Sequence, residues 1–269
     1  MPHFPTKSVV LCIIAIFLIV GLHSGYSYLI SSDAKNDLKG YKVTYRVGLD
    51  DADFPPLVVY GEGDEPTGFD IDLIHLIGDE MKFNVDFVLI PWDDLFIALE
   101  VNEIDMIMGG ISITPGRMEK FLFSDPYLSV SQSVAIGKQG TMFMDDFYAG
   151  RGLVGVEGGT TSDDLVTELL VDSGILPEEN LKRYEEIVMG AQDLANGDIQ
   201  YLLSDWPVMV QLAQRYPIYI IGNIDTGEKY GIVFHKSNRD LQQVINRGLE
   251  RLAGSYDLTK VNHRYLLDY

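Results

Sequence analysis

The stretch Ile104-Asp105-Met106-Ile107-Met108-Gly109-Gly110-Ile111-Ser112-Ile113-Thr114-Pro115-Gly116-Arg117 decides how this chain folds. Ile104 to Met108 is a short, mostly apolar run of strand length that stops at two glycines. Thr114 is then a natural N-cap and Pro115 a natural first helical residue, so a helix starts there. The order strand, loop, helix lets the loop turn backbone N–H groups, the Ser112 hydroxyl and the Arg117 guanidinium in one direction. A guanidinium pairs a carboxylate through two parallel hydrogen bonds, so these groups suit an anionic ligand head; an ordinary capped helix with a surface arginine is the alternative.

The same alternation extends both ways. Upstream, Val43, Tyr45 and Val47 alternate with polar residues as a strand does, and the acids and prolines of residues 50–56 break the pattern into a loop. Ile71, Ile74, Ile77 and Met81 recur at helical spacing, Val85 to Ile90 forms a strand, and Asp94 to Val101 a short helix. Downstream come strand Leu153–Val156, helix Asp163–Ser173, short helix Ala191–Asn196, strand Ile199–Leu203, helix Pro207–Arg215 and strand Ile218–Ile221. Two α/β units with mainly parallel sheets follow from this order. Two extended apolar segments, Ser131–Ile136 and Tyr230–His235, can cross between them, and a last helix, Leu241 to Ala253, has one apolar face. Facing units of this kind enclose a cleft beyond the carboxyl ends of their strands.

Composition bounds the partners. Of 269 residues, 20 are Lys or Arg and 40 are Asp or Glu, a net charge of −20 with no basic run, so nucleic acid and anionic membrane surfaces are poor partners and none is expected. Val9 to Leu22 is almost uninterrupted apolar sequence behind Lys7, with a small-x-small site at Gly25-Tyr26-Ser27. It reads as an export signal, residues 1–27, or as a retained N-terminal anchor. Cys12 lies early in that apolar core, where it cannot take a lipid, and the chain beyond it has no cysteine for disulfide or thiol chemistry. Residues 28–40 are a polar linker.

The sequence also resembles the periplasmic amino-acid-binding proteins of ABC importers, extracellular solute-binding family 3. The landmarks stand in order: Val47-Gly48-Leu49-Asp50-Asp51-Ala52-Asp53-Phe54-Pro55-Pro56, Gly68-Phe69-Asp70-Ile71-Asp72-Leu73, Pro91-Trp92-Asp93-Asp94-Leu95, Asp105 to Arg117, Phe123-Ser124-Asp125-Pro126-Tyr127, Val156 to Ser162, and Lys229-Tyr230-Gly231-Ile232-Val233-Phe234. The resemblance implies a two-lobed, type II periplasmic-binding-protein-like α/β fold, with residues 41–130 plus 231–269 as lobe 1, residues 131–230 as lobe 2, and two crossover strands between them. It implies a monomer without cofactor or catalysis that captures a polar L-amino acid in the periplasm and delivers it to a membrane permease. Arg117 would grip the ligand carboxylate with Ser112, the Gly110 backbone and the backbone around Thr160, Thr161 and Ser162, while Asp205 would receive the ammonium. Phe54 and Trp92 would wall the side chain. Asp51 and Glu157 fall where the family faces that side chain, and two acids there imply arginine, lysine, ornithine or histidine. If Asp51 only braces its loop and Glu157 points to solvent, a neutral ligand such as glutamine is implied instead.

Other signals fail on context. Gly150-Arg151-Gly152-Leu153-Val154-Gly155 matches a dinucleotide fingerprint but leads into a strand instead of following one, and Gly158 to Ser162 lacks the lysine of a phosphate loop. Asp50, Asp51 and Asp53 lack the remaining features of a calcium loop. The histidines have no metal-ligand spacing. Cyclohexadienyl dehydratases, which resemble these binding proteins, carry a catalytic Glu three residues beyond the position of Asp205; here that residue is Val208. A sensor module acting through a membrane partner is the third reading.

Overall fold

The computed structural model describes residues 42–61, 63 and 65–265. The export segment and linker read from the sequence lie outside them. Lobe 1 opens with β1 (Thr44–Asp50), passes a small antiparallel pair, β2 (Val59–Tyr60) and β3 (Pro66–Thr67), and continues as α1 (Phe69–Met81), β4 (Asn84–Ile90), α2 (Trp92–Glu100), β5 (Met106–Ile107), α3 (Pro115–Lys120) and β6 (Phe121–Phe123). Through β7 (Leu128–Ser129) the chain enters lobe 2. There it forms β8 (Gln132–Gly137), α4 (Met144–Tyr148), β9 (Val154–Glu157), α5 (Thr161–Val166) with a π-helical turn (Thr167–Val171), β10 (Leu181–Tyr184), α6 (Ile187–Asn196), β11 (Tyr201–Asp205), α7 (Trp206–Arg215) and β12 (Ile218–Ile224). It returns by β13 (Lys229–Tyr230) to β14 (Val233–His235), α8 (Arg239–Leu252) and α9 (Tyr256–Tyr265).

Each lobe is a five-stranded mixed sheet, ordered β4-β1-β5-β14-β6 in lobe 1 and β10-β9-β11-β8-β12 in lobe 2. In each sheet one strand, β14 or β8, runs against the other four, and it is the strand the chain builds on arriving from the other lobe. The segments read as crossovers are thus mostly sheet strands. The passage itself falls at β7 and β13, which pair antiparallel (Lys229 with Ser129, Tyr230 with Leu128) as a narrow ribbon outside both sheets.

Both faces of each sheet are covered, which is why strands such as Met106–Ile107 are apolar without alternation. In lobe 1, Phe69, Leu73, Ile74 and Ile77 of α1 pack with Leu241 and Ile245 of α8 on one face, and Leu95 and Leu99 of α2 fill the other. In lobe 2, neighbouring residues of β11 point opposite ways: Leu203 meets Phe147, Val166 and Leu170, while Leu202 meets Ile187, Leu194 and Leu212. This packing leaves the carboxyl ends of β1, β5, β9 and β11 turned toward a space between the lobes. The Gly150–Gly155 segment leads into β9, with Gly150 and Gly152 at positive φ, as a turn does.

Candidate functional site

A cavity lies between the lobes, lined by Asp50, Phe54, Trp92, the loop Met108–Ser112 and Arg117 from lobe 1 and by Glu157, Thr160, Thr161 and Asp205 from lobe 2. Thr114 caps α3 as expected, its Oγ1 accepting the Arg117 amide at 3.2 Å, and this cap aims Arg117 back at the loop. The guanidinium donates Nη1–H to the Ser112 carbonyl (3.1 Å) and lies 5.4 Å from the Trp92 ring centroid and 5.3 Å from that of Phe96. Among the described residues no carboxylate lies within ion-pair distance of it. Burial pulls its pKa down, against the opposing pull of Asp164, Glu228 and Asp205. It is a held cation with donors to spare.

The acids are set opposite. Asp205, at the end of β11, is buried and accepts hydrogen bonds from Gln132 Nε2 and the Tyr230 hydroxyl. Burial, with Glu228 nearby, pushes its carboxyl up to about 7. Glu157, at the end of β9, is 7% exposed and has no hydrogen-bond partner for its carboxylate among the described residues. Burial first, then Asp50, Asp205 and Glu186, pushes it up to about 8. A carboxylate in this position calls for a cation.

Several expectations need correcting. Asp51 is exposed and faces an outer groove with Asp93, Glu185 and Glu186; it is Asp50, one residue earlier, that lines the cavity, its pKa raised to about 6 by burial and by Asp51. The Gly110 amide, assigned to the ligand carboxylate, donates instead to Asp70 Oδ2 at 2.9 Å, alongside the Gly109 amide (2.9 Å) and the Tyr127 hydroxyl (2.7 Å). Ser162 is buried behind the cavity with its hydroxyl on Gln132 Oε1 (2.7 Å). Ser112 does line the cavity, but its hydroxyl proton goes to Glu228 Oε1. Phe54, Trp92, Thr160 and Thr161 line it as expected. Gln132, Glu228, Tyr230 and Asp50 were missed. His75 lies edge-on to Phe87 and His235 is bonded to Ser237, and no cluster among the described residues could hold a metal ion.

Known proteins are similar to this chain in sequence and in fold. The chain is 29% identical over 225 residues to a probable histidine-binding protein of Neisseria gonorrhoeae, covering 82% of each. It superposes with a TM-score of 0.75 on an ancestral arginine-binding protein bound to arginine, 28% identical, over 84% of this chain and 99% of the other. At 0.72 it superposes on an ancestral amino-acid-binding protein described as a precursor of cyclohexadienyl dehydratase, 28% identical, over 82% and 94% of the two chains. The model of one family matches residues 45–268, nearly the whole described fold. With two mixed-sheet lobes, a cavity between them and a charged pair across it, the chain belongs to the bacterial extracellular solute-binding proteins, family 3.

Proposed function

We propose that this protein captures an L-amino acid with a cationic side chain between its lobes, outside the cytoplasm, and presents it to an ABC permease. One observation carries the reading: the cavity sets a guanidinium without a carboxylate partner against two buried acids, one of them unpartnered. A zwitterion completes both halves. Its carboxylate takes the free donors of Arg117 and the amides of Thr160, Thr161 and Ser162. Its ammonium takes Asp205 and the Ser112 oxygen, which, with its hydroxyl hydrogen bond donated to Glu228, is left as an acceptor toward the cavity. The side-chain cation reaches Glu157. In a cavity shielded from water these pairings are stronger than in solvent. Relatives named for histidine and arginine agree with that ligand class.

The export segment supports a periplasmic location, free or anchored, and among the described residues no helix is long and apolar enough to cross a membrane. The kinship with a dehydratase precursor supplies the chemical alternative. Val208, where the resemblance to those enzymes implies a catalytic Glu, is buried in the core of lobe 2 and has no proton to transfer. Thermal melting of refolded residues 28–269 with arginine, lysine, ornithine, histidine, glutamine and prephenate tests the reading. Ligand at 100 times its Kd adds about 2.7 kcal/mol. A response to the basic amino acids is expected; a response to glutamine alone removes the cationic assignment, and one to prephenate alone removes the binding-protein reading.

A further inference from the structure

The segment returning from lobe 2 carries an acid that the ligand reading does not use. Glu228 sits just before β13 and outside the cavity lining. Its backbone belongs with lobe 1. The Val130 amide donates to the Glu228 carbonyl (3.0 Å), the Ile113 amide to the Lys229 carbonyl (2.8 Å) and the Gly231 amide to the Ile111 carbonyl (3.0 Å). These bonds fasten Glu228 beside the loop that holds Ser112. Its side chain reaches the other way, into lobe 2. Oε1 accepts the Thr161 hydroxyl at 2.6 Å as well as that of Ser112, and Oε2 accepts Gln132 Nε2 at 2.8 Å. The two hydroxyls lie 3.5 Å apart, one from each lobe, on one carboxylate oxygen.

We propose that Glu228 is a positioning residue, a clasp that holds the lobes closed over the ligand by accepting hydroxyl hydrogen bonds from Ser112 of lobe 1 and Thr161 of lobe 2 on one carboxylate oxygen. Separating the lobes breaks the contacts with Thr161 and Gln132 and keeps the one with Ser112, because only the former belong to lobe 2. The clasp also sets the polarity of the site. With their protons committed to Glu228, both hydroxyl oxygens can only accept from whatever enters the cavity. Gln132 joins this network to recognition, since its Nε2 also donates to Asp205 and its Oε1 accepts from Ser162. The inference rests on the reading that the lobes close on a solute.

The test is stopped-flow dissociation of bound arginine from the purified protein and from Glu228→Ala, Thr161→Val and the double variant, with small-angle scattering of each without ligand. Losing hydrogen bonds to a charged acceptor should speed dissociation about tenfold in each single variant, and the double variant should be no faster than Glu228→Ala alone. Association should change by less than about threefold, and Thr161→Ser should restore the slow rate. In scattering, Glu228→Ala should be more open than the parent. Unchanged dissociation in the folded variants, or rate increases that multiply in the double variant, would overturn the clasp. If the parent binds no amino acid, the solute reading fails separately, and identical scattering of parent and Glu228→Ala then overturns the clasp by itself.

Discussion

Glu157 is a buried carboxylate whose neighbours Asp50, Asp205 and Glu186 are all acids, and its pKa is raised from 4.5 to about 8. Between those values the folded state binds more protons at this residue than the unfolded chain does, so stability of the empty protein should fall as pH rises through that window. The melting temperature should therefore be higher at pH 6 than at pH 8, and Glu157→Gln should reduce the difference, leaving the part that Asp205, raised to about 7, contributes. A bound side-chain cation favours the ionised form, so binding should expel a proton and affinity for arginine should rise from pH 6 to pH 8; calorimetry in buffers of different ionisation enthalpy measures the proton directly. Arg117 works from the other end. Replacing it with Ala leaves the ligand carboxylate without its charged partner and should cost on the order of 3 kcal/mol or more in binding, read by titration calorimetry. Arg117→Lys should recover only part of that, because an ammonium lacks the planar fork that the guanidinium presents beside Trp92 and Phe96.

Two glycines show what the elements demand. Gly68 opens α1 at φ +130, where an added Cβ would stand 2.2 Å from the Leu57 carbonyl oxygen, so Gly68→Ala should destabilise the fold by about 2 kcal/mol or more in denaturant unfolding. Gly159, at φ +71, lies under the Trp92 indole of the other lobe, where a Cβ would come 3.3 Å from Nε1. Gly159→Ala should cost roughly 1 kcal/mol of stability through its backbone conformation alone and should also weaken ligand binding by holding the indole off. The elements legible in the sequence were those with a local signal: the Thr114-Pro115 start of α3, the apolar spacing of α1 and α8, the buried runs at β5 and β11. Strand β10 escaped notice because Lys182 and Arg183 occupy its middle and only its ends are buried, and α9 because Val261 is its one fully buried residue. In the site, motif order located Arg117, Glu157 and Asp205. It slipped by one residue at Asp50 and Asp51, where neighbours on a strand end face opposite ways. Glu228 and Gln132 carry no local signal, since the contacts that tie them to the site span 67 residues to Thr161 and 116 to Ser112 for Glu228 and 73 to Asp205 for Gln132.

Across the described residues the two five-stranded sheets are joined by the β7 and β13 ribbon, about which the lobes can part. Closure on a ligand should appear as a smaller radius of gyration in scattering, driven by the differential affinity of the ligand for the closed state. The outer groove adds a charge effect. Asp50, Asp51, Asp93, Glu185 and Glu186 line it at the approach to the cavity, within a chain of net charge −20. Association of arginine should therefore slow as salt is raised, with glutamine much less affected, in stopped-flow measurements. The central claim is an orientation: carboxylate on Arg117, ammonium on Asp205, side-chain cation at Glu157. A crystal structure of the protein grown with arginine tests it most directly. The account predicts arginine in the interlobe cavity in that orientation, within hydrogen-bond distance of all three side chains. Arginine bound elsewhere, or in the cavity with its guanidinium turned away from Glu157, would contradict it.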